Sequence, residues 1–144
     1  MSLGKNGAFL TRSFPGINEE ISMKYFFDTY ALIEIIMQNP GYRSYTLSPI
    51  EACTTAFNLM ELHFYYLKNF GNEEAERMYT LVSPLIISTD DDIIKDANKL
   101  KLANLKKRLS FTDCIGYITA LKLNLRFVTG DYAFKGMENV EFVK

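Results

Sequence analysis

Two short apolar runs, Tyr25-Phe26-Phe27 toward one end of the chain and Phe127-Val128-Thr129 toward the other, each give way to an acid. The first stops directly at Asp28; the second, after Gly130, stops at Asp131. Runs this short, rich in aromatic and β-branched residues, read as buried strands. Helical patterns of roughly ten residues or more lie between such runs, and that alternation calls for a parallel sheet with helices on its faces. In an open parallel sheet, ligands bind outside the carboxyl ends of the strands. Acids delivered to that edge from both ends of the chain mark it as a candidate site for a hard cation.

The remaining elements follow from period and punctuation. Lys24 to Phe27 is the first strand, and Thr29 to Met37 a helix with Ala31, Leu32, Ile35 and Ile36 on one face, stopped by Asn39-Pro40-Gly41. Tyr45-Thr46-Leu47 reads as a brief strand. Ser48 as N-cap, Pro49 at the first helical position and Glu51 at the third then open a long helical pattern, broken near Cys53 and closed at Gly71. Asn72 caps a helix to about Val82, and Leu85-Ile86-Ile87 is a third strand. Thr89 and Asp90 open a helix that carries Ile93, Ile94, Ala97 and Leu100 inward; Ser110 opens the last helix, running to about Leu123. Arg126 to Thr129 and Val140 to Val143 are the final strands. Residues 1–22 hold three glycines, a proline and no sustained period, and are expected to be a mobile leader, native or added in cloning. Residues 23–144 then form a single domain.

A chain of 144 residues with 48% apolar content can bury a proper core, which excludes a disordered chain. No stretch approaches the apolar length that spans a bilayer, so no membrane role is expected. Cys53 and Cys114 stand far apart, without the spacing of a zinc site or redox dithiol, and read as small buried hydrophobes in a cytoplasmic protein. The net charge of −1 gives no global pull toward nucleic acid. Locally, Lys95, Lys99, Lys101, Lys106, Lys107 and Arg108 crowd one stretch with only Asp96 opposing them. That run is either a solvated face or a phosphate-contacting edge.

Each acid has a purely structural reading beside the functional one. Asp28 precedes a helix and suits an N-cap; Thr129-Gly130-Asp131 makes an acceptable turn. Glu61 sits at the margin of a helical stripe of Cys53, Ala56, Phe57, Met60, Phe64 and Leu67, where a charge either snorkels or serves a site. Asp113, three residues after Ser110, is either a partner for the helix dipole or part of a sheltered site. Taken together, clustered carboxylates repel one another and resist burial unless a cation neutralises them. Oxygen donors of this kind select Mg²⁺ or Mn²⁺, as one or two ions, and with no dedicated base in the set such an ion would activate water against a phosphoryl group. His63, beside the apolar stripe, reads as a packed or surface imidazole.

In order and context these acids resemble the PIN domain family. The likeness rests on Phe27-Asp28-Thr29-Tyr30-Ala31-Leu32-Ile33, Asn58-Leu59-Met60-Glu61-Leu62, Leu109-Ser110-Phe111-Thr112-Asp113-Cys114-Ile115-Gly116-Tyr117 and Val128-Thr129-Gly130-Asp131-Tyr132-Ala133-Phe134. It spans Met23 to Lys144. The resemblance implies an α/β class fold, a three-layer α/β/α sandwich around a parallel sheet of four to five strands. It implies an acidic quartet of Asp28, Glu61, Asp113 and Asp131 holding Mg²⁺ or Mn²⁺, with Thr29 and Thr129 orienting the acids. It further implies a ribonuclease, of which many are VapC-like toxins silenced by a small antitoxin; some members have lost activity and only bind RNA or protein. Some members carry another acid just past the last one, where this chain has Tyr132, Ala133 and Phe134. Tyr65, Tyr66, Phe70 and Tyr79 are candidates for an inhibitor groove, a homodimer face or ordinary helix packing. A phosphoaspartate receiver would need an acidic pair on the first strand, where Phe26-Phe27 stand. A haloacid-dehalogenase-like phosphatase would need a second Asp at Tyr30.

Overall fold

The apolar runs assemble as five parallel strands: β1 (Met23–Phe27), β2 (Ile50–Thr55), β3 (Ile86–Ile87), β4 (Arg126–Thr129) and β5 (Val140–Phe142), in the order β3-β2-β1-β4-β5. The computed structural model describes residues 23–47 and 50–144, so the expected leader and the Ser48-Pro49 helix start lie outside the described residues. β1 is central, pairing Tyr25 with Ala52 on one side and Phe26 with Phe127 on the other. From β1 the chain travels outward through β2 and β3, then returns to build β4 and β5 on the opposite flank. The direction of winding therefore reverses between β1 and β4, and such a reversal opens a crevice at the carboxyl ends.

Side-chain alternation along β1 divides the core between two faces. Tyr25 and Phe27 lie against α1 (Thr29–Ile36), α3 (Ala56–Phe70) and α4 (Asn72–Val82), in a cluster with Leu32, Ile35, Leu59, Leu62, Tyr66, Met78 and Val128. Phe26 points the other way, stacking on Phe127 with ring centroids 5.6 Å apart, beneath α5 (Asp91–Ala103) and α6 (Phe111–Lys122). Each fully buried phenylalanine contributes roughly 1.5–3 kcal/mol of burial free energy. Gly116 lets α6 approach this layer, since a Cβ there would stand 2.8 Å from Phe26 Cε1. A sheet covered on both faces is the three-layer α/β/α arrangement.

Four local expectations are corrected. Tyr45 to Leu47 belong to a short helix, α2 (Ser44–Leu47), instead of a strand. Ile50–Thr55, expected as helix, is β2, and Glu51 faces Lys24 across the ladder at 3.8 Å instead of closing a helical turn. Pairing with the central strand overrides the local capping signature, and the helix starts after Thr55, whose hydroxyl accepts the Asn58 N–H. The third correction concerns α3. Its expected inward stripe is exposed, with Met60 at 61% and Phe64 at 64% of full accessibility, and Phe57 and Leu67 exposed beside them. The buried face carries Asn58, Leu59, Leu62 and Tyr66. Ile94 likewise is exposed while Ile93 and Ala97 pack inward.

Candidate active site

Three acids emerge at the crevice, each tied to a backbone N–H. Asp28 is the N-cap of α1, where the Ala31 N–H donates to its Oδ1 at 2.8 Å. Asp113 completes a capping box on α6: the Ser110 N–H donates to its Oδ2 at 2.8 Å, and its own N–H donates to Ser110 Oγ at 3.0 Å. Asp131 caps a 3-10 turn, Tyr132–Phe134, accepting the Ala133 N–H at 2.9 Å. The structural reading of each acid is thus realised. All three nevertheless line the same cavity, of about 320 Å³, together with Thr29, Tyr30, Gly130, Tyr132 and Lys144.

Thr129 links two of these acids. Its hydroxyl accepts the Asp131 N–H at 3.0 Å and supports the ionised form of Asp28. Thr29 plays the corresponding part for Glu61, which is half-buried on α3 and lies outside the cavity lining. The Thr29 hydroxyl donates to Glu61 Oε1 at 2.8 Å and accepts from Asn58 Nδ2 at 3.1 Å; the Thr55 hydroxyl in turn donates to Asn58 Oδ1 at 2.6 Å. Thr112 also hydrogen-bonds Glu61. This relay runs from the end of β2 through α3 to the start of α1. Asn58, only 2% exposed, was not singled out as a site residue from sequence, although an amide sharing a helical face with Leu62 and Tyr66 is a readable signal. Tyr30 and Lys144, which carry no comparable signal, complete the cavity wall.

Burial dominates the electrostatics. It pushes the Asp28 carboxyl up to about 7, opposed by Thr129 and the Ala31 N–H and reinforced by the charges of Asp113 and Asp131. Burial also raises Glu61, with Thr29 opposing and Asp113 adding repulsion, and raises Asp113, opposed by its Ser110 bonds and by Lys101. Carboxylates held in one crevice against their own ionisation are the donor set that a hard divalent cation relieves. The residues therefore fit such an ion by donor chemistry. Among the described residues no three His, Cys, Asp or Glu side chains form a ready-made cage.

Two members of the basic run come near this crevice. Lys101 donates to the Leu109 carbonyl, lies 4.7 Å above the Phe111 ring and acts on Asp113; Lys107 donates to the Ala133 carbonyl at 3.1 Å. Lys99 pairs with Asp96 at 3.7 Å, and Lys95, Lys106 and Arg108 are exposed. His63 meets Glu76 at 3.2 Å and the edge of Tyr79, between α3 and α4. Cys53 and Cys114 are buried, and no described helix is long and apolar enough to cross a membrane.

No protein-family model matches the sequence, and no curated protein matches it significantly. Solved structures do. VapC20 of Mycobacterium tuberculosis, described as a sarcin–ricin-loop-cleaving toxin, superposes with a TM-score of 0.67 at 16% identity, over 81% of this chain and 98% of that one. VapBC2 from Rickettsia felis, solved with a DNA fragment from its promoter, gives 0.67 at 18% identity over 85% and 100%. A toxin–antitoxin complex from Klebsiella pneumoniae gives 0.63 at 20% identity over 81% and 95%. At these identities the likeness is one of fold, and the chain has the PIN-like α/β/α fold of the VapC toxin structures.

Proposed function

We propose that the chain is a metal-dependent endoribonuclease that hydrolyses phosphodiester bonds of single-stranded or structured RNA, acting as the toxin of a toxin–antitoxin pair. The observation that carries this reading is the convergence of Asp28, Asp113 and Asp131 on one cavity at the winding reversal of the sheet. Those three acids would hold Mg²⁺ or Mn²⁺, with Glu61 at the margin binding or positioning through Thr29. When bound, the ion supplies charge neutralisation and acidifies water for attack at phosphorus. The chain's own contribution is orientation. The backbone N–H groups of Ala31, Ser110 and Ala133 each fix one carboxylate oxygen, so the acids lose little conformational freedom when a ligand arrives. Thr129 keeps Asp28 and Asp131 in a common frame.

RNA as substrate is supported by the described sarcin–ricin-loop cleavage of VapC20, and an antitoxin partner by the Klebsiella complex and VapBC2. The exposed Phe57, Met60, Phe64 and Leu67, spaced as one helical seam on α3, suit a small apolar partner or a second copy. The burial of Cys53 and Cys114 as small apolar side chains favours a reducing, cytoplasmic setting.

The test is cleavage of a labelled RNA in Mn²⁺ or in chelator by the wild type and by Asp28→Asn, Asp113→Asn and Asp131→Asn. Cleavage that needs the ion and drops at least about 100-fold in each variant supports the reading. Equal cleavage by all four proteins would defeat it. RNA binding without cleavage by the wild type would identify a catalytically silent PIN-fold module.

A further inference from the structure

An acidic cavity repels the polyanion it is proposed to cleave, so some part of its rim must attract that strand. The net charge of −1 supplies no general pull. The rim formed by the turn after β4 and by the end of the chain carries a ladder in which cations alternate with aromatic rings. Lys144 Nζ lies 4.9 Å from the Tyr30 ring centroid and 4.8 Å from that of Tyr132, and donates to the Gly130 carbonyl at 3.0 Å. Beyond it, Lys135 Nζ sits 5.8 Å from Tyr132 and 5.2 Å from Phe142, and these two rings pack with centroids 5.0 Å apart. The first three members of the ladder line the cavity with the acids. Tyr132 is 61% exposed at its mouth.

We propose that this ladder seats the RNA strand beside the cleaved bond: a base stacks on Tyr132, and Lys144 and Lys135 take the flanking phosphates. The inference rests on the ribonuclease reading and deepens it by naming the surface that holds the substrate. A lysine has three N–H donors, and the Gly130 carbonyl engages one on Lys144. A cation–π contact at an exposed site is weaker than a charge-assisted bond to phosphate, so an arriving strand can recruit both ammonium groups. Phe142 supports the Tyr132 ring, which makes it a fixed platform. Every base has a face for such a platform, but only an unpaired base can present it, so the ladder selects single-stranded or looped RNA over duplex. It also outranks the Lys95–Arg108 stretch, of which only Lys101 and Lys107 come near the crevice.

The experiment is fluorescence anisotropy of an unstructured fluorescein-labelled RNA in EDTA, where cleavage does not interfere. Tyr132→Ala should weaken binding roughly 5- to 150-fold, the range of one base–aromatic stack. Tyr132→Phe should stay within about twofold of wild type. Lys135→Gln should lower the slope of log Kd against log salt by about 0.7, the value for one phosphate on a single strand. Wild-type binding with Tyr132→Ala unchanged overturns the inference and leaves the ribonuclease reading standing. Equal affinity for a fully paired duplex, or poly-glutamate binding with the same Tyr132 dependence, overturns it in favour of a general anion or protein surface. Failure of the wild type to bind or cleave any RNA removes both.

Discussion

Asp28→Asn should stabilise the metal-free protein above neutral pH, the reverse of what replacing a buried, hydrogen-bonded residue usually does. Burial pushes the Asp28 carboxyl from 3.8 up to about 7, so between those values the folded state holds a proton that the unfolded chain has released. Stability therefore falls as pH rises from about 4 to about 7, and the full loss persists above that. At about 1.4 kcal/mol per pKa unit, this displacement removes up to about 4 kcal/mol. Asparagine keeps a carbonyl oxygen for the Ala31 N–H and ranks with aspartate as an N-cap, so the substitution deletes the charge and spares the cap.

Urea denaturation in EDTA at about pH 5 and about pH 8 reads the effect. Near pH 5 the folded carboxyl is protonated but the unfolded one is already ionised, so the variant should lead by only roughly 1.5 kcal/mol. Near pH 8 the variant should be the more stable, by up to about 4 kcal/mol. Glu61 and Asp113, raised by burial in the same sense, leave the variant with a residual slope of the same sign. Adding Mn²⁺ should raise wild-type stability in proportion to the logarithm of its concentration above Kd, and raise the variant less. A variant less stable than wild type at pH 8, or one with an unchanged pH profile, would refute the claim that Asp28 is a charge held against its burial.

Two further substitutions probe the packing around this crevice. Gly130→Ala would place a Cβ 2.1 Å from Tyr30 Cε1 and should cost about 1–3 kcal/mol by denaturation, with much of that recovered in Gly130→Ala/Tyr30→Ala; additive losses would show that the ring is not the obstacle. On α3, Leu62→Ala should cost about 2–5 kcal/mol while Phe64→Ser stays within about 0.5 kcal/mol, and the opposite order would restore the inward stripe expected from periodicity.

What could be read from sequence was whatever local chemistry decides. β1, β4 and the starts of α1, α5 and α6 stand where expected because each helix start is set by an adjacent acid or serine that accepts a backbone N–H. Residues 45–55 misled because a Ser-Pro-x-Glu signature competes with a pairing partner more than twenty residues away; Ile50 to Cys53 join Met23 to Phe26, and the ladder wins. α3 misled for another reason. It carries apolar residues on two sides, and period alone cannot say which side the sheet will take. The sheet takes Leu59, Leu62 and Tyr66, leaving Phe57, Met60, Phe64 and Leu67 outside. Lys144 and Tyr30 had no local signal, since their places depend on contacts more than a hundred residues apart.

The capping and cation-site readings of the acids do not compete, because the first prepares the second. A carboxylate that caps a helix start is held by a backbone N–H and favoured in ionised form by the local dipole. Here three capped starts, of α1, α6 and the 3-10 turn after β4, are brought together by a sheet whose winding reverses between β1 and β4. Any one of them in isolation would be an ordinary stable cap. Brought to one cavity, Asp28 and Asp113 are pushed toward protonation by burial and by each other's neighbours, despite the bonds that favour their charge. The fold thus keeps, at a cost to its own stability, an arrangement that proton uptake by Asp28 relaxes and that a bound cation would relax with the charge in place. Such a cost, borne by Asp28, Asp113 and Glu61 at and beside one crevice, is what a reading as helix caps alone leaves unexplained.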